Sequence, residues 1–318
     1  MSEFNLIKQH FTRPTHHTNL SVGDDAALIS IDSSMELAIS ADMLVAGTHF
    51  FSDADPYKLG WKSLAVNVSD MAAMGANPKW ATLAIALPHN DAQWLSEFSR
   101  GFFACANKFN VDLIGGDTTR GSLNICVQIM GEVPIGQAIK RSSAKVGDEI
   151  WVSGLLGDAA LALAHMQDKL ALSEDVFDVC IQSLHTPQPR VDLGLALRGI
   201  ANSAIDISDG LLADLGHILE ASNVGATLYL SSIPHSAHLG AEALHDKHII
   251  NMILAGGDDY ELCFTAPIEK HAAIIKLSEK LQLPLSCIGL ISSETSLLVH
   301  GLDNEILDIK ETGFDHFS

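Results

Sequence analysis

Apolar residues along the chain follow two spacings, which predict different elements. Apolar runs of strand length cover residues 36–42, 81–87, 112–115, 122–130, 149–153 and 204–207. Apolar residues spaced along one helix face cover 55–74, 91–109, 159–166 and 211–219. Because strand and helix segments alternate, the pattern predicts an α/β or α+β fold.

The length and one polar segment indicate two domains. At 318 residues the chain is about twice the length of a common domain. The segment 131–148 is polar and is interrupted by Pro134, Gly136 and Gly147, as is typical of a linker. We therefore expect one domain at 1–135 and a second at 136–318, each long enough to bury its own core.

The charge balance limits the partners of the protein. With 39 acidic and 19 basic residues the net charge is -20, which repels nucleic acids and anionic membranes. A small anionic substrate is compatible with this charge if bound cations neutralise it locally. The five cysteines show no C-x-x-C pairing, and neither a leader-like N-terminus nor a run of 18 apolar residues occurs. These features predict a cytoplasmic protein.

The segment 115–121, Gly-Gly-Asp-Thr-Thr-Arg-Gly, joins two predicted strands. Its glycines permit positive φ and a close approach of the backbone to a ligand. Asp117 can hold a divalent cation, and Arg120 can bind a phosphate or a carboxylate. The segment therefore predicts a loop that binds phosphate and metal, with a plain glycine-aspartate turn as the alternative.

Aspartates recur in similar short settings, at Asp25, Asp42, Asp70, Asp206 and Asp209. Three of them have a structural alternative: a turn for Asp25, an exposed helix position for Asp70, and a helix N-cap by Ser208 or Asp209 in the case of Asp209. Asp206 is harder to explain in this way, because an N-cap formed by a later residue leaves it without a structural role. Like charges that lie close together require protons or cations, and oxygen ligands suit Mg²⁺ or Mn²⁺. Phosphoryl transfer is the chemistry that uses such a site, although no Walker motif occurs in the chain.

Several motifs, in order and across nearly the whole chain, resemble the thiamine-monophosphate kinase family of the aminoimidazole-ribonucleotide-synthetase superfamily. They are Gly-Asp-Asp at 23–25, Ser-Ala-Asp at 40–42, Ala-Val-Asn-Val-Ser-Asp-Met-Ala-Ala-Met-Gly-Ala at 65–76, the segment 115–121, Asp-Ile-Ser-Asp-Gly at 206–210, and Asp-Tyr-Glu-Leu-Cys-Phe at 259–264. The resemblance implies a two-domain α/β fold. It also implies a homodimer in which the N-terminal domains pair through their sheets.

The resemblance also implies roles for individual residues. Several Mg²⁺ ions would be held by Asp25, Ser40, Ala41, Asp42, Asp70, Asp117, Asp206 and Asp209. Nucleotide contacts would come from Gly116, Asp117, Arg141 and Ser208, and substrate contacts from His49, Asp258 and Phe314. The family usually has glutamate at position 258 and a hydroxyl residue at position 41. Asp258 is therefore one methylene shorter, and Ala41 offers only its backbone carbonyl.

The implied reaction transfers the γ-phosphoryl group of ATP to thiamine monophosphate, giving thiamine diphosphate. The acceptor is a phosphate oxygen that is already ionised near neutral pH, so no general base is needed and no catalytic residue is expected beyond the metal and phosphate ligands. Two alternatives remain open. One is an ATP-dependent enzyme of the aminoimidazole-ribonucleotide-synthetase type, and the other is a nucleotide- or cation-sensing module without turnover.

Overall fold

The computed structural model describes residues 3–240, 244–309 and 313–314. The chain divides into two compact units: Met1–Met71 with Ala76–Gln137, and Ala72–Gly75 with Ala138–Ser318. The first unit therefore ends at residue 137, within the polar segment 131–148.

The first unit is built on a mixed sheet. Its elements are α1 (Glu3–His10), β1 (Met35–Val45), α2 (Pro56–Ala73), β2 (Asn77–Leu87), α3 (Ala92–Phe109), β3 (Asp112–Arg120) and β4 (Asn124–Pro134), the end of α2 belonging to the second unit. The strand order is β1-β4-β2-β3, in which β4 is antiparallel to β1 and β2, and β3 is parallel to β2. The outermost strands, β1 and β3, carry the candidate residues Ser40, Ala41, Asp42, Gly116 and Asp117.

The faces of this sheet differ in burial because strand side chains alternate. On β4, Ile125, Val127 and Ile129 are fully buried, whereas Gln128 is exposed. We call the buried face the inner face; Met71 of α2 packs on it, beside Gly131. The other face, the outer face, exposes apolar side chains on β1.

Strand β3 corrects the prediction for the glycine-rich segment. The strand continues without interruption through residues 115–120, so the predicted loop between two strands is wrong. The physical reason is the close approach of β2: a Cβ on Gly116, where φ is +147°, would lie 1.8 Å from the Leu83 carbonyl oxygen. The glycine therefore admits a neighbouring strand, which local sequence could not reveal.

The second unit is built on a larger mixed sheet. Its elements are β5 (Glu149–Ser153), α4 (Asp158–Met166), α5 (Glu174–His185), α6 (Val191–Ala196), β6 (Ser203–Asp206), α7 (Leu211–Ser222), β7 (Gly225–Tyr229), α8 (Lys247–Ala255), β8 (Leu262–Ala266), α9 (His271–Leu281), β9 (Leu285–Ser292) and β10 (Leu297–His300). The strand order is β10-β7-β9-β5-β8-β6. Only β10 and β7 are parallel among the described strand pairs of this sheet.

Apolar cores cover both faces of this second sheet. Ile150 and Val152 of β5 enter the core that contains the buried sides of α4, α5, α7 and α8. Trp151, which points the other way, joins the core beneath α6 and α9 and stacks on Phe264 at 6.4 Å between ring centroids. A strand that is buried on both faces appears in the sequence as a continuous apolar run. The run at 149–153 therefore predicts β5 with the bounds that the structure shows.

Two mixed α/β units, each with its own sheet, confirm the predicted fold class. Within residues 3–240, 244–309 and 313–314, no helix has the length and apolarity needed to cross a membrane.

Candidate active site

In the second unit, candidate residues lie on two loops that are hydrogen-bonded to each other. The acidic loop, 206–210, follows β6, and the glycine loop, 256–260, precedes β8. The amide of Asp258 donates to the Ser208 carbonyl, and the amide of Tyr260 donates to the Ile207 carbonyl, both at 2.8 Å. The two loops therefore extend the sheet pairing of β6 with β8 beyond the ends of the strands.

Glycines allow the acidic loop and the glycine loop to pack backbone to backbone. A Cβ on Gly257 would lie 2.4 Å from the Ser208 carbonyl oxygen. Gly210 has φ of +124°, and a Cβ there would lie 2.7 Å from Ala255. The glycines of these motifs thus bring the chain segments that carry Ser208, Asp209 and Asp258 together.

Asp214, which the sequence analysis did not single out, holds the acidic loop. Its Oδ2 accepts the amides of Ser208, Asp209 and Gly210 at 2.9, 3.0 and 3.1 Å. Helix α7 begins at Leu211 with Gly210 as its N-cap, so the alternative of an N-cap by Ser208 or Asp209 is wrong. Burial raises the pKa of Asp214 to about 7 despite the three amides, and the charge of Asp209 adds to the rise.

Asp258 and Phe314 are both held against the acidic loop. The backbone of Asp258 is in the left-handed region with φ of 71°, and that of Tyr260 with φ of 50°, which side chains rarely adopt. The Tyr260 hydroxyl donates to the Asp258 carboxylate at 3.1 Å. The amide of Phe314 donates to the Asp209 carbonyl at 3.0 Å, while its side chain is 51% exposed.

The acids next to Asp258 have structural roles. Asp259 is buried, and its carboxylate accepts the Gly157 amide at 3.0 Å. Burial raises the pKa of Asp259 well above its usual range. Glu261 is also buried; its carboxylate accepts hydrogen bonds from both Arg190 and Ser153. Only Asp258 of these three acids is partly exposed.

In the first unit, Asn67 brings strand β1 beside helix α2. Its side-chain oxygen accepts the amide of Asp42 at 3.1 Å, and its side-chain nitrogen donates to the Ser63 carbonyl at 3.1 Å. Asp70 lies one turn beyond Asn67, so both share a helix face. Ser40 and Asp42 share the inner face of β1. The structure therefore gathers Ser40, Asp42 and Asp70 around the buried Asn67.

Asp117 is separated from Asp42 by the sheet of this unit. Across the strands, Asp42 is in register with Val127 and Leu83, whose side chains are buried on the inner face. Asp117 is in register with Ala84, which is exposed. Since paired residues share a face, Asp42 projects on the inner side and Asp117 on the outer side.

The remaining predicted residues of the first unit are more exposed. Asp25 lies in an exposed turn, and Ala41 is exposed on the outer side of β1. His49 accepts the Val45 amide at its Nδ1 at 3.0 Å. A neutral imidazole that accepts at Nδ1 carries its proton on Nε2, so His49 presents an N–H donor there.

Arg141 lies in the second unit, on a short 3₁₀ segment (Arg141–Ser143) with its side chain exposed. The Ser222 hydroxyl, at the end of α7, donates to the Arg141 carbonyl at 2.9 Å. No group of three or more His, Cys, Asp or Glu side chains in the described part of the chain is arranged to hold a metal ion. In the second unit, Asp206 is buried at the end of β6, whereas Asp209 is partly exposed.

Asn67, Asp214 and Tyr260 are the positioning residues that the sequence analysis missed as site residues. Asn67 lies in the motif at 65–76 together with Asp70, and a polar residue between two apolar ones was the available signal. For Asp214 the signal was an acid in the first turn of an apolar helix. Tyr260 offered no signal of its left-handed backbone.

Comparisons with known proteins agree over nearly the full length. Residues 23–133 match the model of the AIR synthase related protein, N-terminal domain, and residues 145–300 match that of the C-terminal domain. The thiamine-monophosphate kinase of Escherichia coli (strain K12) is 44% identical over 320 residues, covering 99% of this chain and 98% of that protein.

Two solved structures are also similar to this chain over most of its length. Thiamine-monophosphate kinase from Stenotrophomonas maltophilia K279a has a TM-score of 0.85 at 45% identity, covering 94% of this chain and 95% of that chain. AaThiL complexed with AMPPCP and TMP has a TM-score of 0.79 at 29% identity, covering 99% and 96%. With both domain models matched and a relative this similar along its whole length, the chain belongs to the thiamine-monophosphate kinase family.

Proposed function

We propose that this protein transfers the γ-phosphoryl group of ATP to thiamine monophosphate, giving thiamine diphosphate and ADP. The observation that carries the proposal is the 44% identity to a thiamine-monophosphate kinase over 99% of the chain. A structural relative has been solved as a complex with AMPPCP and TMP, a nucleotide and a second ligand bound to one fold. The reaction class is therefore a phosphotransfer in which a phosphate is the acceptor.

The loops of the second unit carry three of the proposed ligand contacts. Asp258 and Phe314 contact the thiamine part of the substrate, and Ser208 contacts the nucleotide. Support comes from their common attachment to the acidic loop, through hydrogen bonds of 2.8 Å from Asp258 and 3.0 Å from Phe314. The Tyr260 hydroxyl fixes the carboxylate of Asp258, which is shorter than the usual glutamate. Phe314 is 51% exposed, and an exposed aromatic ring can stack on an aromatic ligand.

The other predicted contacts are His49, Gly116 and Asp117 of the first unit and Arg141 of the second. Gly116 and Asp117, on the edge strand β3, and Arg141 contact the nucleotide phosphates. His49 faces the substrate and donates a hydrogen bond from Nε2, because its Nδ1 accepts the Val45 amide. Arg141 is the cation of this set, and its guanidinium suits paired phosphate oxygens.

Mg²⁺ ions are proposed at the carboxylates of both units. The donors fit this ion, since all are oxygens and Mg²⁺ needs only one or two carboxylates, with water and phosphate oxygens completing its shell. The proposed ligands are Asp25, Ser40, the Ala41 carbonyl, Asp42, Asp70, Asp117, Asp206 and Asp209. When bound, Mg²⁺ neutralises phosphate charge. The chain's own part is to hold these oxygens in place, as Asn67 does for Asp42 and Asp214 for the acidic loop.

No proton transfer is required of the chain in this reaction. The attacking oxygen belongs to a phosphate that is ionised near neutral pH, so positioning and charge neutralisation account for catalysis. This agrees with a site made of carboxylates rather than of an activated nucleophile. The family resemblance and the chemistry of the acceptor lead to the same assignment.

A product assay tests the proposal. Purified protein is incubated with Mg²⁺ and ATP and, in separate tubes, with thiamine monophosphate, free thiamine or formylglycinamidine ribonucleotide, and products are separated by chromatography. We expect equimolar thiamine diphosphate and ADP in the first tube only, and none after chelation of Mg²⁺. Asp209→Asn should lower kcat by about 100-fold or more, whereas Asp192→Asn, at an exposed position of α6, should not. Product from the ribonucleotide, or ATP binding without turnover, would contradict the assignment.

A homodimer paired through the first unit is also proposed. The outer face of its sheet is apolar and exposed on β1, where Ile39 is 55% and Met43 is 53% exposed. Asp117 projects on this same side, from the opposite edge strand of the sheet. Sedimentation analysis should find a dimer that Met43→Arg converts to a monomer. Leu290→Arg, which alters an exposed apolar residue of the second unit, is the control, and an unchanged dimer in Met43→Arg would refute this interface.

We also place this reaction in the cytoplasm, the compartment that supplies ATP. All five cysteines are free thiols, as is usual in a reducing compartment. Fractionation of cells with an antibody to the protein would test the assignment, and recovery in an extracytoplasmic fraction would contradict it.

A further inference from the structure

The turn before α7 has the backbone geometry of an anion-binding site. Three successive amides, of Ser208, Asp209 and Gly210, converge on one oxygen within 3.1 Å. Successive amides that point to one place form a concavity for anions, and the N-terminus of a helix adds a partial positive charge. A turn of this kind commonly binds a phosphate of the ligand.

In this protein the concavity is already filled by the chain. The converging oxygen is Oδ2 of Asp214, on the first turn of α7, and Asp214 is 2% exposed. The amides are therefore not available to an incoming phosphate. What the acidic loop presents to a ligand is its side chains, among them the partly exposed Ser208 and Asp209. The side chains of the acidic loop thus offer oxygen ligands that suit cations, whereas its backbone amides alone would suit anions.

We propose that Asp214 is a positioning residue that occupies the amide concavity and so makes the acidic loop bind cations and exclude phosphate. The inference rests on the proposed role of Asp209 as a metal ligand. Asp214 lies within helix α7 and holds the residues that precede this helix. A carboxylate at this place aligns the loop and repels free phosphate.

Ordinary helix caps in the same chain behave differently and provide a control. Asp246 precedes α8 and accepts one amide, that of His248 at 2.8 Å. Asp91 precedes α3 and accepts the amides of Gln93 and Trp94. Both accept from residues inside their helix, whereas Asp214 accepts from outside it. Asp246→Ala therefore removes a cap of the same unit without altering the acidic loop.

The first test measures cation binding without turnover. Mn²⁺ binding to the full chain is followed by electron paramagnetic resonance for the wild type and for Asp214→Ala, Asp214→Asn and Asp246→Ala. Asp214→Ala should weaken Mn²⁺ binding about tenfold or more, the size expected from losing charge-assisted hydrogen bonds. Asp214→Asn keeps an acceptor oxygen and should recover most of the affinity. Asp246→Ala should lower the melting temperature and leave Mn²⁺ binding unchanged.

The second test measures phosphate binding, and its wild-type arm does not depend on a folded variant. Hydrogen exchange of the wild-type segment 206–214 should be unaffected by inorganic phosphate without metal, because its amides are occupied. In Asp214→Ala, phosphate should slow the exchange. Protection of the wild-type segment by phosphate alone, or Mn²⁺ binding in Asp214→Ala equal to the wild type, would overturn the proposal. Failure of the proposed kinase function would be seen separately, as a wild type that binds Mn²⁺ but forms no thiamine diphosphate.

Discussion

Replacing Arg190 by methionine should strongly destabilise the second unit, because Arg190 compensates a buried charge. Glu261 has 7% of its side chain exposed and Arg190 has 26%. The guanidinium donates from Nε to Oε2 at 2.7 Å and from Nη2 to Oε1. In Arg190→Met, only the Ser153 hydroxyl remains of the described side-chain donors to this carboxylate. The variant keeps most of the side-chain volume, so the loss is mainly electrostatic.

The expected loss follows from the burial of the pair. Removing one partner of a buried ion pair costs about 3–5 kcal/mol of unfolding free energy, because the other charge stays desolvated. With an m-value of about 2–3 kcal/mol per M of urea, the midpoint should fall by about 1–2 M. Glu261→Gln in the Arg190→Met background removes the uncompensated charge and should recover much of this loss.

Hydrogen exchange in urea measures this prediction for one unit at a time. Peptides from 149–153 and 261–266 report on the strands that carry Ser153 and follow Glu261, and peptides from 81–87 report on the first unit. Arg100→Met is the matched control, because its pair with Glu97 is exposed, and it should leave the midpoint unchanged. A shift in Arg190→Met no larger than that of Arg100→Met would refute the reasoning.

Two further predictions concern one backbone contact and one buried acid. Gly116→Ala should lower the unfolding free energy by more than about 3 kcal/mol, because its Cβ would overlap the Leu83 carbonyl. Urea unfolding measures this loss, with Gly121→Ala as the control variant. Equal urea midpoints for the two variants would contradict the prediction. For Asp259, burial raises the pKa above the ordinary 3.8, so its contribution to stability is present at low pH and is lost as pH rises through the raised pKa. Asp259→Asn should therefore gain stability relative to the wild type between pH 5 and pH 8, and parallel stability curves would show that Asp259 does not titrate as stated.

Several local features were predictable because their causes lie within a few residues. Strand β5 was predicted with its observed bounds from a continuous apolar run. Helix α3 was predicted from the helical spacing of apolar residues over 91–109, and in the structure Asp91 caps it by accepting the Gln93 and Trp94 amides. Apolar periodicity and helix capping depend on near neighbours in the chain, so they can be recognised from the sequence. The choice of aspartates as candidate residues came from the same local patterns.

Contacts between distant segments decided what those local patterns become. The sequence by itself determined the order of strands and helices, the acidic composition and the motifs of the family. The tertiary structure alone decided that Gly116 of β3 admits β2, that Asp214 rather than Ser208 or Asp209 holds the acidic loop, and that Glu261 pairs with Arg190, 71 residues away. Burial and pairing are properties of the folded neighbourhood, and an acidic residue becomes a ligand, a cap or half of an ion pair only when its neighbours are in place.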